Sequence, residues 1–197
     1  MFLNKGRKIV SKEQIDKHRQ VLAQKVADTY TDVVLVCILK GAAYFTVDIS
    51  RDLEELNLAH TLFFLDASSY DGIKQDKDVD IVVNALDKLN GKHVLLLDEL
   101  YDNGKTMHSV KAYIAEHASC ESLKTCVMFR KLSNKPSIYE APDFVGMAVP
   151  DVWLVGYGLD RNGYNRGLPD IWAIPKPAGA VWTADDWKLF INKETLE

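Results

Sequence analysis

Apolar residues fall along this chain in short unbroken runs, separated by segments with helical spacing. VVLVCIL (33–39), HTLFFLDA (60–67), HVLLLDE (93–99), LKTCVMF (123–129) and VWLVGY (152–157) read as buried strands. Their apolar runs are too continuous for strands with one wet face. Between them Ile15, Leu22, Val26 and Tyr30 recur on one helical face, as do Tyr44, Val47 and Leu53, then Met107, Val110 and Ile114. Strand alternating with helix predicts βαβ units and an α/β fold: a parallel sheet flanked by helices on both faces. Ligands of such sheets bind beyond the carboxyl ends of the strands. The polar stretch SSYDGIKQDKD (68–78) reads as a mobile loop, and IPKPAGA (174–180) sets apart a C-terminal segment.

Composition narrows the partners. A chain of 197 residues suffices for one domain with a real core. A formal charge of −4 supplies no basic field, so nucleic acid is not an expected partner. Cys37, Cys120 and Cys126 have no metal spacing and fit a reducing cytoplasm, and the five histidines are scattered. No apolar run is long enough to span a membrane, and MFLNKGRKIV lacks the apolar core of a secretory signal.

The chemistry concentrates in VLLLDELYDNGKTM (94–107). Its Gly-Lys-Thr is not a P-loop, because that motif needs glycine where Glu99 stands. What remains is a strand ending in Asp98 and Glu99, then a turn into a helix. The backbone N–H groups of Asn103, Gly104, Lys105 and Thr106 would face a phosphate there. The two acids would meet hydroxyls or a metal ion on the neighbouring part of the same ligand. A sugar phosphate satisfies both. A solvated strand end followed by a capped helix accounts for the same spacing.

This stretch resembles the phosphoribosyl-diphosphate motif of the type I phosphoribosyltransferases. Three further segments narrow the likeness to the hypoxanthine-guanine phosphoribosyltransferases. ILKGAAYF (38–45) is similar to their pyrophosphate loop, and SSYDG (68–72) to the Ser-Tyr of their catalytic flexible loop. VPDVWLVGYGLDRNGYNRGLPDIWAI (149–174) is similar to their purine-binding segment and loop arginine. The four occur in the family's order over roughly residues 9 to 174.

The resemblance implies one domain over residues 1–197, with a core of about 30–150 and a small hood from about 1–15 and 150–197. It implies transfer of a phosphoribosyl group from its diphosphate to a 6-oxopurine, with Mg2+, in a homodimer or homotetramer. Lys40 and Gly41 would bind pyrophosphate, with a cis peptide between them, and Arg166 would fork onto its oxygens. Asp98, Glu99 and Asp160 would serve the metal. Trp153 would stack on the base, Leu154 would offer backbone groups to its edge, and Lys131 or Arg130 would donate to O6. Asp102 would accept the N7 proton or polarise the loop. Ser69 and Tyr70 would close over the site. Three departures stand out: the acid pair is Asp98–Glu99 where relatives usually have Glu–Asp, Asn103 replaces the usual Thr or Ser, and the segment after residue 175 has no clear counterpart.

Overall fold

The computed structural model describes residues 6–68, 80–82, 86–133 and 137–174. The order is β1 (Arg7–Val10), α1 (Lys12–Ala27), β2 (Asp32–Leu39), α2 (Ala43–Glu55), β3 (Ala59–Ser68), β4 (Asp80–Val82), a 3-10 turn (Leu86–Leu89), β5 (His93–Tyr101), α3 (Lys105–His117), β6 (Ser122–Leu132), β7 (Phe144–Pro150), β8 (Trp153–Val155) and β9 (Ile171–Ile174). The main sheet runs β4-β3-β2-β5-β6-β7. Its five longer strands are parallel, with β4 antiparallel at one edge.

The apolar runs explain this layering. Leu35, Leu95 and Leu97 pack with Phe45, Ile49 and Leu53 of α2 and with Ile15, Leu22 and Val26 of α1. On the other face Val36, Leu96 and Val127 pack with Met107, Val110 and Ile114 of α3. Burying a side chain of this size stabilises by about 1.5–3 kcal/mol, so the sheet is held from both sides. Helix α1 starts at a capping box: the Ser11 hydroxyl accepts the Gln14 N–H, and the Gln14 side chain accepts the Ser11 N–H.

Four expectations need correction. In α2 the buried face is Phe45, Ile49 and Leu53, whereas Tyr44 and Val47 are exposed. Both sets have helical spacing and share Leu53, and it is the i, i+4, i+8 set that the sheet buries. Strand β3 is not fully buried: Leu62 is 39% and Phe64 49% exposed. The run 152–157, which its apolar pattern groups with the sheet strands and the resemblance assigns to the hood, does not join the main sheet. Its β8 belongs to a separate antiparallel sheet of order β1-β9-β8, the hood. The fifth parallel strand is instead β7, FVGMAVP, whose Gly146 lies against the Met128 carbonyl of β6.

The sheet's switch point lies between β2 and β5. From β2 the chain crosses to β3 on one side, while β5 pairs on the other. The crevice at the carboxyl ends of these two strands is where such folds hold ligands.

Candidate active site

Three segments meet at that crevice. After β2 the chain turns through Lys40 and Gly41 into α2. The cis peptide here joins Leu39 to Lys40, one residue earlier than expected from the resemblance. Strand β2 stays paired through Leu39, opposite Asp66, so the reversal begins immediately after it. Lys40 is exposed and Gly41 is buried. A Cβ on Gly41 would collide with the Glu99 carboxylate, and a Cβ on Gly158 would collide with the Gly41 carbonyl. Gly41 is therefore the point where the turn after β2, the end of β5 and the hood loop touch.

Strand β5 continues to Tyr101, two residues past the expected end at Glu99, so both acids lie within it. Asp98 accepts the Glu99 N–H (2.9 Å). Burial, reinforced by the neighbouring Glu99 charge, pushes the Asp98 carboxyl well above the usual carboxylate range. A cation or ligand hydroxyls arriving here would relieve that repulsion. Beyond Tyr101 the turn is formed by a left-handed Gly104 (φ 87°) that caps α3. The Lys105 N–H donates to the Asn103 side-chain oxygen (3.0 Å), so the residue that departs from the family pattern closes an Asx turn just ahead of α3. Thr106 lies in the first turn, half-buried.

The turn is braced from behind by residues that the sequence did not single out. The Ser137 hydroxyl donates to the Asn103 carbonyl (2.9 Å), and the Tyr101 hydroxyl donates to the Glu140 carbonyl (2.9 Å). Tyr101 packs so closely under Gly104 that no Cβ fits there. The available signal was a tyrosine in an otherwise apolar slot, since a buried phenol needs a hydrogen-bond partner.

At the far side Lys131, at the end of β6, donates its ammonium to Asp102 (2.9 Å) and lies 3.8 Å from Asp151. Arg130 precedes it on the same strand and is exposed. Successive residues of a strand face opposite ways, so only one of the two can reach Asp102, and it is Lys131. Trp153 is 41% exposed on β8, so its ring is not a core residue, and Leu154 behind it is buried. Arg166 donates to the Gly158 carbonyl (2.6 Å) and pairs with Asp160 (2.7 Å), whose carboxylate also accepts the Gly163 N–H. Ser69 and Tyr70 fall outside the described residues.

Among the described residues no three His, Cys, Asp or Glu side chains converge as a metal cage. Mg2+ ordinarily takes one or two carboxylates and completes its shell with water and phosphate oxygens. The Asp98–Glu99 pair is a donor set of that kind. Asp160 is engaged by Arg166 in this structure.

The phosphoribosyl transferase domain model matches residues 8–162. The chain belongs to the phosphoribosyltransferase family. This family member is 34% identical over 170 residues to the hypoxanthine-guanine phosphoribosyltransferase of Aquifex aeolicus, covering 84% of this chain and 93% of that one. It is 30% identical over 161 residues to the hypoxanthine phosphoribosyltransferase of Escherichia coli K12, covering 81% and 88%. A crystal structure of the Trypanosoma cruzi hypoxanthine phosphoribosyltransferase superposes with a TM-score of 0.75 at 26% identity, covering 86% and 97%. The parallel sheet, its flanking helices and the hood are thus the fold of this family.

Proposed function

We propose that this phosphoribosyltransferase family member acts in purine salvage. It would transfer the 5-phosphoribosyl group from 5-phospho-α-D-ribose 1-diphosphate to a 6-oxopurine, hypoxanthine and also guanine. The products are the nucleotide (IMP or GMP) and pyrophosphate. The observation that carries the reading is the Lys131–Asp102 pair at the mouth of the phosphate turn. A 6-oxopurine presents an acceptor, O6, beside a donor, N7–H, on one edge. A lysine donor and a carboxylate acceptor 2.9 Å apart match that edge group for group.

Each residue then has a task. The 103–106 turn and Thr106 hold the 5′-phosphate at the N-terminus of α3. Asp98 and Glu99 face the ribose hydroxyls. Trp153 stacks on the base, and Leu154 offers backbone groups to its edge. As the new C–N bond forms, positive charge leaves the purine through N7, and Asp102 accepts that proton. Lys40, the Gly41 N–H and Arg166 bind the departing pyrophosphate, where preorganised positive charge lowers the barrier most. Asp98 and Glu99 would hold Mg2+, and Asp160 would help to hold a second Mg2+; the metal would supply Lewis-acid neutralisation of the diphosphate. Ser69 and Tyr70 would exclude water.

The working form would be one domain, a cytoplasmic homodimer or homotetramer, with no membrane or nucleic-acid partner. No helix of the described residues is long and apolar enough to cross a membrane. The test is direct. The protein is incubated with Mg2+, the phosphoribosyl donor and each purine in turn, and nucleotide is measured. Product from hypoxanthine or guanine is expected; none from either overturns the reading. Product from xanthine or a pyrimidine alone would reassign the acceptor, and an RNA shift without turnover would make this a regulator on the same fold.

A further inference from the structure

Away from the reacting atoms, a buried polar cluster joins the two helices of one face to the hood loop. Arg19 of α1 forks onto Asp52 of α2 (2.6 and 3.2 Å) and also takes Asp16 (2.6 Å). Its third direction points at the Tyr157 hydroxyl (3.5 Å). That hydroxyl donates to Asp48 of α2 (3.0 Å), which lies 3.6 Å from Arg19. Arg19, Asp52 and Tyr157 are all buried. Enclosing a guanidinium, carboxylates and a phenol is costly unless every group is partnered, and here they partner one another.

The backbone of Tyr157 is as constrained as its side chain. It is left-handed (φ 46°) between Gly156 (φ 104°) and Gly158 (φ 101°), a run in which only the middle residue carries a side chain. Such a conformation disfavours any residue but glycine, so something must hold the tyrosine there. The anchored loop leads to Arg166, which the transfer reading assigns to pyrophosphate. Gly158 donates its N–H to the Arg166 carbonyl (2.9 Å), and its own carbonyl accepts the Arg166 guanidinium. Its Cα rests on the carbonyl of Gly41. Helix α2, which holds the Tyr157 hydroxyl through Asp48, begins two residues after Gly41. One rigid helix therefore fixes both the turn after β2 and the loop bearing Arg166 and Asp160.

We propose that Tyr157, held by Asp48 and Arg19, is a positioning residue that sets the spacing between the Gly41 turn and the Arg166 loop. It thereby determines affinity for the pyrophosphate half of the donor and leaves the purine half untouched. The inference rests on the phosphoribosyl-transfer reading above. A displacement of an ångström between two binding loops suffices for large losses, and here the helix prevents it.

The experiment compares the whole protein with Tyr157→Phe, which removes the donating hydroxyl, Asp48→Ala, which removes the accepting carboxylate, and the double variant. Mg2+-pyrophosphate is titrated calorimetrically, and KM is measured separately for the donor and the purine. In each single variant, weakening of pyrophosphate and donor by about fivefold to tenfold is expected, with purine KM unchanged within about twofold. The double variant should lose no more than either single one, because both remove the same contact. Arg51→Ala, which deletes only the exposed partner of Asp48, should behave as wild type. A lowered melting temperature with unaltered pyrophosphate affinity overturns the proposal, as do equal shifts for donor and purine or additive losses. If the wild type binds pyrophosphate but forms no nucleotide, the transfer reading fails while the titration still decides this inference. A wild type that binds no pyrophosphate overturns the inference itself.

Discussion

At the scale of single residues, the inverted acid pair has a structural consequence at Gly41. Glu99 is one methylene longer than aspartate, and its carboxylate fills the space a Gly41 side chain would need. Gly41→Ala should therefore displace Glu99 and raise donor KM by about tenfold. Glu99→Asp placed in that background should recover part of the loss by shortening the intruding side chain. Steady-state kinetics on the three variants checks this, and a Gly41→Ala enzyme with normal donor KM would contradict it. The Lys131–Asp102 pair separates two other effects. Asp102→Asn should lower turnover by about 10²–10⁴ with little change in donor binding. Lys131→Ala should raise purine KM; an unchanged value would hand the O6 contact to Arg130. These residues were legible because a motif fixes their order along the chain. Arg19, Asp52, Tyr157 and Ser137 were not, since their partners are distant in sequence and only the fold brings them together.

At the scale of elements, the strands of the centre were legible and those of the edges were not. A run such as VVLVCIL is apolar on both faces because helices cover both, and β2 is buried along nearly its whole length. HTLFFLDA has the same pattern without the same cover: Leu62 and Phe64 are exposed on β3. Hydropathy records what a face prefers, not what lies on it. Strand β7 was missed because Gly146 interrupts its apolar run and Pro150 closes it early. The central strands also protect their thiols. Cys37 on β2 and Cys126 on β6 are buried, and burial pushes the Cys37 thiol up to about 11. A raised thiol pKa means less thiolate at any pH below it, and thiolate is the reactive form. Iodoacetamide at pH 8 should therefore label Cys120, which is partly exposed, and spare Cys37 and Cys126 in the native protein. Mass spectrometry of the digested protein checks this; labelling of Cys37 before denaturation would contradict it.

At the scale of the whole molecule, the alternation of strand and helix announced the main sheet, while the hood joins residues 7–10 to residues 153–155 and 171–174. No local pattern announces a sheet whose strands are that far apart; a hood from the two ends was expected only from the resemblance. The hood loop shows one more property. Gly156, Tyr157 and Gly158 lie outside every strand and helix, yet each donates its N–H to a carbonyl: those of Leu159 (3.0 Å), Leu168 (2.8 Å) and Arg166 (2.9 Å). Slow exchange of amide hydrogen with solvent follows such bonding wherever it occurs, regular or not. These three amides should thus retain their protons as long as those of β8, and Tyr157→Phe should shorten that retention without touching the strands of the main sheet. Deuterium uptake followed by NMR or mass spectrometry would read it. A loop of glycines, the residue usually associated with slackness, would then be among the stiffest parts of the molecule.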